Sequence, residues 1–378
     1  MKSIMRTNDW TIGWYVWKLL SNVEKHENDR NKWDDYVNKH PQVSPYHLFA
    51  WGMAIENTYK HQRVYLIAER DGHVVGISPL VLMGGLLFLT GSLCSLPFCD
   101  LGSSLYDDED VKQALINEII KIAKQKGINH VDLRESGNTL LSDEDMKNAE
   151  KSADSQYAKC KARMLLSLPD SAEALLTSFK SKLRSQIRKA EKNGIAYREG
   201  RSEQDINDFY SVFTENMRQL GSPTHSRAWF ENIVRHYKDN MLIGIVSLEN
   251  QVVGGAIILF VGNTVTVPWA STLPAYNKYS PNMLLYWNLL KYAADHGYGQ
   301  FDFGRSTIGE GTYKFKKQWG AKPMPLAWKI LDSDGNQIAE QAGGGNSKIR
   351  PVIENIWRKL PLAMTVFIGP VLRKHISL

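Results

Sequence analysis

Apolar residues recur at helical spacing through Asp108–Lys126, where Val111, Leu115, Ile119 and Ile122 share one face. Gly127 ends that helix, and His130–Arg134 reads as a strand. Upstream, Asn31–Lys39 and His47–Asn57 predict two helices, the second with Leu48, Trp51 and Ile55 on its apolar side. Arg63–Glu69 and His73–Leu82 predict two strands joined at Asp71-Gly72, a dipeptide suited to the left-handed geometry of a tight hairpin. Leu86–Leu96 predicts one or two further strands. Leu141–Asp154 is polar and charged and reads as a linker or surface loop.

A similar order of elements follows from Tyr157 to Leu331. Asp170-x-x-Glu173 reads as a capping box opening a long helical region that runs to Lys192 and stops at Gly194. Ser202–Leu220 and His225–Lys238 predict two more helices. Leu242–Leu248 and Val252–Phe260 form an expected hairpin, and Thr264–Ala270 the next strand. Pro281–His296 is a helix with proline in its first turn, and Gln300–Gly304 and Met324–Ile330 are strands. Each half thus runs from helices through a strand meander to a helix and a final strand. That is a tandem α/β arrangement, and it departs from the strict βαβ alternation of a dinucleotide-binding fold. Beyond Gly343-Gly344-Gly345, read as a flexible joint, comes a helical tail.

Composition narrows the class. The chain has 378 residues, 43% hydrophobic and 23% charged, which excludes disordered, collagen-like and coiled-coil proteins and suggests two or three domains. Its three cysteines, Cys94, Cys99 and Cys160, lack zinc-ligand spacing, so no metal is expected, and reduced thiols point to the cytoplasm. The apolar patch Trp10–Leu20 is interrupted by Lys18 and does not read as a signal peptide. Met83–Cys99 carries turn residues foreign to a spanning helix. Leu360–Leu372 is too short to span and is bracketed by Arg358, Lys359, Arg373 and Lys374. It reads as packing on the body, with contact to an anionic membrane surface as the alternative. No GxGxxG or Walker lysine loop occurs, which disfavours nicotinamide enzymes and P-loop kinases.

The net charge of +6 is concentrated: between Lys180 and Arg201 eight basic residues face two acidic ones. On a continuous helix Lys180, Arg184 and Arg188 would stack at i, i+4 and i+8, a self-repelling face suited to phosphate, although a solvated helix face is the plainer reading. A second cluster is Phe301-Asp302-Phe303-Gly304-Arg305-Ser306, followed by Gly309 to Gly320 with Tyr313, Lys316, Lys317 and Trp319. It gathers a carboxylate, a guanidinium and ammonium groups near a strand end; the plain alternative is an ion pair of Asp302 with Arg305 or a nearby lysine. A third feature joins Trp269-Ala270-Ser271-Thr272 to Tyr279, Ser280, Pro281 and Asn282, a strand leading to a helix N-terminus that favours an anion.

The runs Lys182–Ala190, Ser280–Leu285 and Phe301–Ser306 with Tyr313–Gly320 resemble the FemAB-like branch of the GNAT acyltransferase superfamily, and in particular the FemAB-type proteins of exosortase/PEP-CTERM exopolysaccharide systems. The resemblance implies an α/β (α+β) fold of two tandem GNAT-like domains, each a mixed, mainly antiparallel sheet flanked by helices. The corresponding boundaries are 1–155, 156–335 and a joint and tail over 336–378. It implies an acyl- or aminoacyltransferase acting in the cytoplasm, or peripherally at the inner membrane, on a nucleotide- or lipid-linked saccharide or peptide precursor. No cofactor is bound tightly; aminoacyl-tRNA or acyl-CoA serves as co-substrate. Lys316 matches a lysine implicated in stabilising charge during transfer. Asp302 and Arg305 are the accompanying catalytic candidates. Lys180, Arg184 and Arg188 are the phosphate candidates; Trp269, Tyr279, Asn282, Tyr313, Lys317 and Trp319 complete the expected substrate site. The Gln/Arg-x-x-Gly-x-Gly/Ala pyrophosphate loop of ordinary GNAT enzymes is absent before Pro281. The alternatives are an acetyl-CoA-dependent N- or O-acetyltransferase, a non-catalytic scaffold of a polysaccharide assembly complex, and an RNA-binding protein.

Overall fold

The computed structural model describes residues 9–12, 15–20, 27–84, 91–152, 155–340 and 350–377. The chain divides into two units. The first comprises Met1–Gly137, Leu326–Ala342 and His375–Leu378, and the second Asn138–Pro325 and Gly343–Lys374.

In chain order the first unit has strands β1 (Asp9–Ile12) and β2 (Tyr15–Leu20), which include much of the N-terminal apolar patch. Helices α1 (Glu27–Lys39) and α2 (Phe49–Tyr59) follow, then β3 (Gln62–Arg70) and β4 (His73–Met83). After β5 (Ser92–Cys94) and β6 (Leu105–Tyr106) come α3 (Glu109–Gln125) and β7 (Val131–Ser136). The 86–90 part of the strand expected over Leu86–Leu96 lies outside the described residues. Asp71 and Gly72 both take positive φ, 53° and 79°, as a two-residue hairpin turn requires. Helix α3 starts at Asp108, whose carboxylate accepts the Val111 N–H, with Glu109 and Asp110 in its first turn. Its stripe of Val111, Leu115, Ile119 and Ile122 is buried with Val64, Leu66, Leu80, Leu93 and Val131 of the sheet. Arg134 is fully buried on β7. It pairs with Asp132 and donates to the carbonyls of Leu96, Cys99 and Ser377. Burial pushes the Cys94 and Cys99 thiols up, so neither is a ready nucleophile.

The second unit opens with α4 (Asp143–Lys151), where the sequence reads as a linker. That helix is polar on most of its surface and turns only Met146 and Ala149 inward, so its apolar signal is short. Next come β8 (Lys161–Ser167), α5 (Ala172–Ser178), α6 (Ser181–Lys192) and β9 (Ile195–Gly200). The expected long helix to Lys192 is therefore two helices. Phe179 is extended between them, Ser171 rather than Asp170 caps the first, and Lys180 is the N-cap of the second. Helices α7 (Glu203–Leu220) and α8 (Arg227–Tyr237) precede β10 (Met241–Leu248), β11 (Gln251–Val261) and β12 (Thr264–Thr272). Then follow α9 (Pro281–Asp295), β13 (Gln300–Thr307), α10 (Gly311–Gln318), β14 (Lys322–Leu331) and β15 (Gln337–Glu340). The tail forms α11 (Arg350–Lys359) and α12 (Leu362–Arg373), while the expected joint at Gly343–Gly345 lies outside the described residues.

In the first unit the sheet order is β1-β2-β3-β4-β5-β7 followed by Leu326–Leu331 of β14. In the second it is Lys322–Pro325 of β14, then β8-β13-β12-β11-β10-β9. Each of these sheets has one parallel pair on that path, β5 with β7 and β12 with β13; the other neighbours are antiparallel. Helix α9 is buried along most of its surface, from Met283 to Ala294, within the second core. The tail is tied to the same unit: Trp357 is buried, and a Cβ on Gly369 would stand 3.0 Å from the Thr224 nitrogen. Among the described residues no helix is long and apolar enough to cross a membrane.

Arg373 Nε donates to His225 Nε2 (3.2 Å), and His225 stacks on Trp229 at 5.2 Å. Burial, then the Arg373 charge, hold the His225 pKa well below its ordinary value. The unfolded chain therefore takes up a proton below about pH 6.5 that the folded chain refuses, so stability falls as pH drops below that point. Urea denaturation between pH 7 and pH 5 is expected to show a shallower loss for His225→Gln than for wild type; equal slopes would mean that His225 is not held neutral.

Candidate active site

The site begins with two strands that part. β12 and β13 pair in parallel only through Thr264–Thr266 and Gln300–Asp302. Beyond that point β12 continues to Thr272 and β13 to Thr307 without pairing to each other. A cause lies in β13 itself: its register against β8 slips between Asp302 and Arg305, and Gly304 there takes φ 72°. Such a bulge sharpens local twist and bends the strand. Asp302 fixes it, one carboxylate oxygen accepting the Gly304 N–H at 2.8 Å and the other accepting Arg163 Nε and Nη2 at 2.9 and 2.8 Å. Both side chains are buried. Asp302 is thus paired with Arg163 of β8, where the sequence suggests Arg305 or a lysine.

A cavity of about 340 Å³ is lined by the outer end of β12 (Ala270, Ser271, Thr272), by Asn282 and Tyr286 of α9, by Asn216 of α7, and by Gly311, Thr312, Phe315 and Lys316 of α10. Asn216 donates to Ser271 Oγ at 3.1 Å. Lys316 is 8% exposed, and its Nζ donates to the carbonyls of Gly304 (3.1 Å) and Arg305 (2.8 Å). The ammonium is therefore held by the bulge that Asp302 and Arg163 maintain. None of these lining residues is a carboxylate or a histidine.

A second cavity, about 440 Å³, lies on the neighbouring side of α10, consistent with the ~100° turn from one helical residue to the next. Its lining includes Ser178 at the end of α5, Lys180, Lys182 and Gln186 at the N-cap and in the first half of α6, and Lys317, Gln318 and Trp319 at the end of α10. It holds three lysines and no carboxylate. Lys180 at the N-cap makes no side-chain capping bond, so the first N–H groups of α6 lack a side-chain cap. Lys317 pairs with Glu150 of α4, which also accepts the Tyr313 hydroxyl at 2.8 Å. Partial burial opposes ionisation of Glu150, yet Lys317 and Tyr313 outweigh it and hold its carboxyl below the usual range. Burial and Glu150 push the Tyr313 hydroxyl up.

Of the expected residues, Lys316 and Asn282 line the first cavity, and Lys180, Lys317 and Trp319 the second. Asp302 and Arg305 stand behind Lys316: the Asp302 carboxylate holds the Gly304 N–H, and the Arg305 carbonyl accepts the Lys316 ammonium. Trp269 is buried against Trp229, Phe230 and His225. Tyr313 is buried, and the Tyr279 carbonyl accepts Asn193 Nδ2. Arg184 donates to Thr177 O, and Arg188 is exposed; neither is a lining residue. The basic stretch is broken further on, where Arg198 pairs with Asp205 and Asp208. Sequence reading missed Arg163, Glu150 and Asn216. The short apolar run Met164-Leu165-Leu166 is the signal that would have found the strand carrying Arg163. Among the described residues no group of three or more His, Cys, Asp or Glu is arranged to hold a metal.

Residues 177–317 match the family model described as an acetyltransferase (GNAT) domain. No curated protein matches the sequence. Among solved structures the chain is similar to FemX, with TM-score 0.60 and 16% identity over 86% of this chain and 98% of that one. It is also similar to L-PGS from Bacillus licheniformis, with TM-score 0.50 and 14% identity over 92% and 97% of the two chains. At these identities the structural likeness is one of fold.

Arg163→Ala is expected to cost about 3–5 kcal/mol, because the Asp302 carboxylate would stay buried without its cation. In a double-mutant cycle with Asp302→Ala, read by urea denaturation, a coupling near zero would show that the pair does not brace the bulge. Residues 177–317 thus match a GNAT acetyltransferase domain, and the chain has a mixed α/β fold similar to that of FemX.

Proposed function

We propose that the protein transfers an acyl or aminoacyl group to an amine or hydroxyl of a nucleotide- or lipid-linked saccharide or peptide precursor. The observation that carries this reading is the buried Lys316 ammonium at the wall of a cavity opened by diverging strands. The β13-facing edge of β12 beyond Thr266 has no strand partner and offers backbone groups to an extended donor. The acceptor nitrogen or oxygen attacks the donor carbonyl, forming a tetrahedral oxyanion that the Lys316 ammonium stabilises. The bond to the leaving oxygen or sulfur then breaks. With no carboxylate or histidine in the lining, the leaving group itself takes up the proton released by the acceptor. Asp302 and Arg163 act as positioning residues in this scheme, and Arg305 through its carbonyl. The lysines of the second cavity suit the phosphates of the precursor.

The names of similar proteins favour an aminoacyl donor. A domain assigned to a lysylphosphatidylglycerol synthetase from Agrobacterium fabrum has a similar fold, with TM-score 0.51 and 13% identity. An acyl-CoA donor is the second reading, favoured by the N-terminus of α9 at the first cavity, where Ser280 provides no side-chain cap. A cell-envelope or exopolysaccharide acceptor, the exosortase-linked setting and a cytoplasmic location complete the proposal; they are supported by the sequence resemblance.

Radiolabelled aminoacyl-tRNA and acetyl-CoA, each offered with a pool of envelope precursors, separate the two donors by which label is transferred. Lys316→Ala is expected to lower kcat about 10²–10³-fold. It is also expected to lose about 1–3 kcal/mol of stability, since two carbonyls lose their donor. Wild-type turnover in a folded Lys316→Ala protein would remove Lys316 from the mechanism.

A further inference from the structure

The tail helices of the second unit carry an outward apolar face that the acyltransferase chemistry does not use. On α12 Met364, Phe367 and Val371 recur at i, i+3 and i+7, and Phe367 is 82% exposed. The opposite side holds Thr365 and Gly369, both buried, with Gly369 pressed on Thr224. The helix is thus fixed with its large apolar side chains pointing away from the protein. On α11 Val352, Ile353 and Ile356 are likewise more than half exposed, while Trp357 turns inward. None of these residues lines either cavity.

The charges of the tail sequence are predominantly basic. From Arg350 to Lys374 there are five basic residues and one acidic residue, Glu354, and no acidic residue follows it. Arg358 and Lys359 precede α12, and Arg373 and Lys374 end it, so basic groups bracket the apolar row. A second copy of the chain would bring like charges together. A bilayer surface supplies what both parts need, an acyl boundary for Phe367 and anionic phosphates for the basic flank, Lys359 above all, since Arg358 is held by the Gln219 and Leu220 carbonyls and Arg373 by His225. Twelve residues of helix span about 18 Å, well short of the ~30 Å of a hydrocarbon core, so α12 would lie in the plane of the interface.

We infer that α11 and α12 form a docking surface for anionic phospholipid membrane, with Phe367 and Val371 as the inserted side chains. This surface is independent of the identity of the acyl donor. The test is co-sedimentation of the full-length protein with vesicles of phosphatidylcholine alone and with about 30% phosphatidylglycerol. Wild type is expected to pellet with the anionic vesicles, less so at high salt, and hardly with the neutral ones. Phe367→Asp is expected to lower the bound fraction at least about tenfold with an unchanged melting temperature, since the side chain is exposed. Lys359→Glu is expected to weaken only the anionic case. Equal sedimentation of wild type and Phe367→Asp would overturn the inference. So would failure of wild type to bind, or a two-copy mass in solution that Phe367→Asp reduces to one. Vesicle binding is read without turnover, so its failure leaves the role of Lys316 to the transfer assay, and the reverse holds.

Discussion

The parting of β12 and β13 is the constraint on which the rest of the site depends. Two parallel strands that separate after three residues leave backbone donors and acceptors without their ladder partners, and such groups must be satisfied by other means. On β13 Lys316 provides part of the answer by taking the carbonyls of Gly304 and Arg305. In the proposed reaction the same ammonium also stabilises the oxyanion, so a structural need and a chemical one would meet in one group. Behind it the Arg163–Asp302 pair is costly to desolvate, and its geometry is what makes it useful: it holds a left-handed glycine and a slipped register.

Much of the scaffold is legible in the chain. Helix α3 announces itself because its apolar residues repeat at helical spacing, and the first hairpin because Asp71-Gly72 permits two successive positive φ values. The failures have physical causes as well. Helix α4 buries only Met146 and Ala149, so polar residues dominate its pattern. The break at Phe179–Lys180 follows no proline or glycine; Phe179 leaves helical geometry to pack edge-on against Trp287 and Trp319, a tertiary preference invisible locally. In the site, Lys316 was accessible to sequence reading because it lies in a dense motif. Arg163 was not, because it stands 139 residues from the carboxylate it neutralises.

Net charge is a poor guide to this surface. The basic stretch from Lys180 to Arg201 is partly neutralised where Arg198 meets Asp205 and Asp208. What remains is divided between a lysine-lined cavity and a tail that carries its own excess of basic residues. A global value of +6 therefore averages over two separate positive regions and an acidic remainder, each with different work to do.

Arg134 and Phe98 both reach the carbonyl of Ser377, and β7 pairs with a β14 segment that begins at Leu326. Emerging from a ribosome, the first unit would therefore wait for chain made much later: Arg134 and Ser377 are 243 residues apart in sequence. The second unit draws its sheet from one uninterrupted stretch, Asn138–Pro325, and waits only for its tail helices within Gly343–Lys374. During that interval β7 presents an unpaired strand edge, which is a template for mispairing and a natural point of engagement for a chaperone.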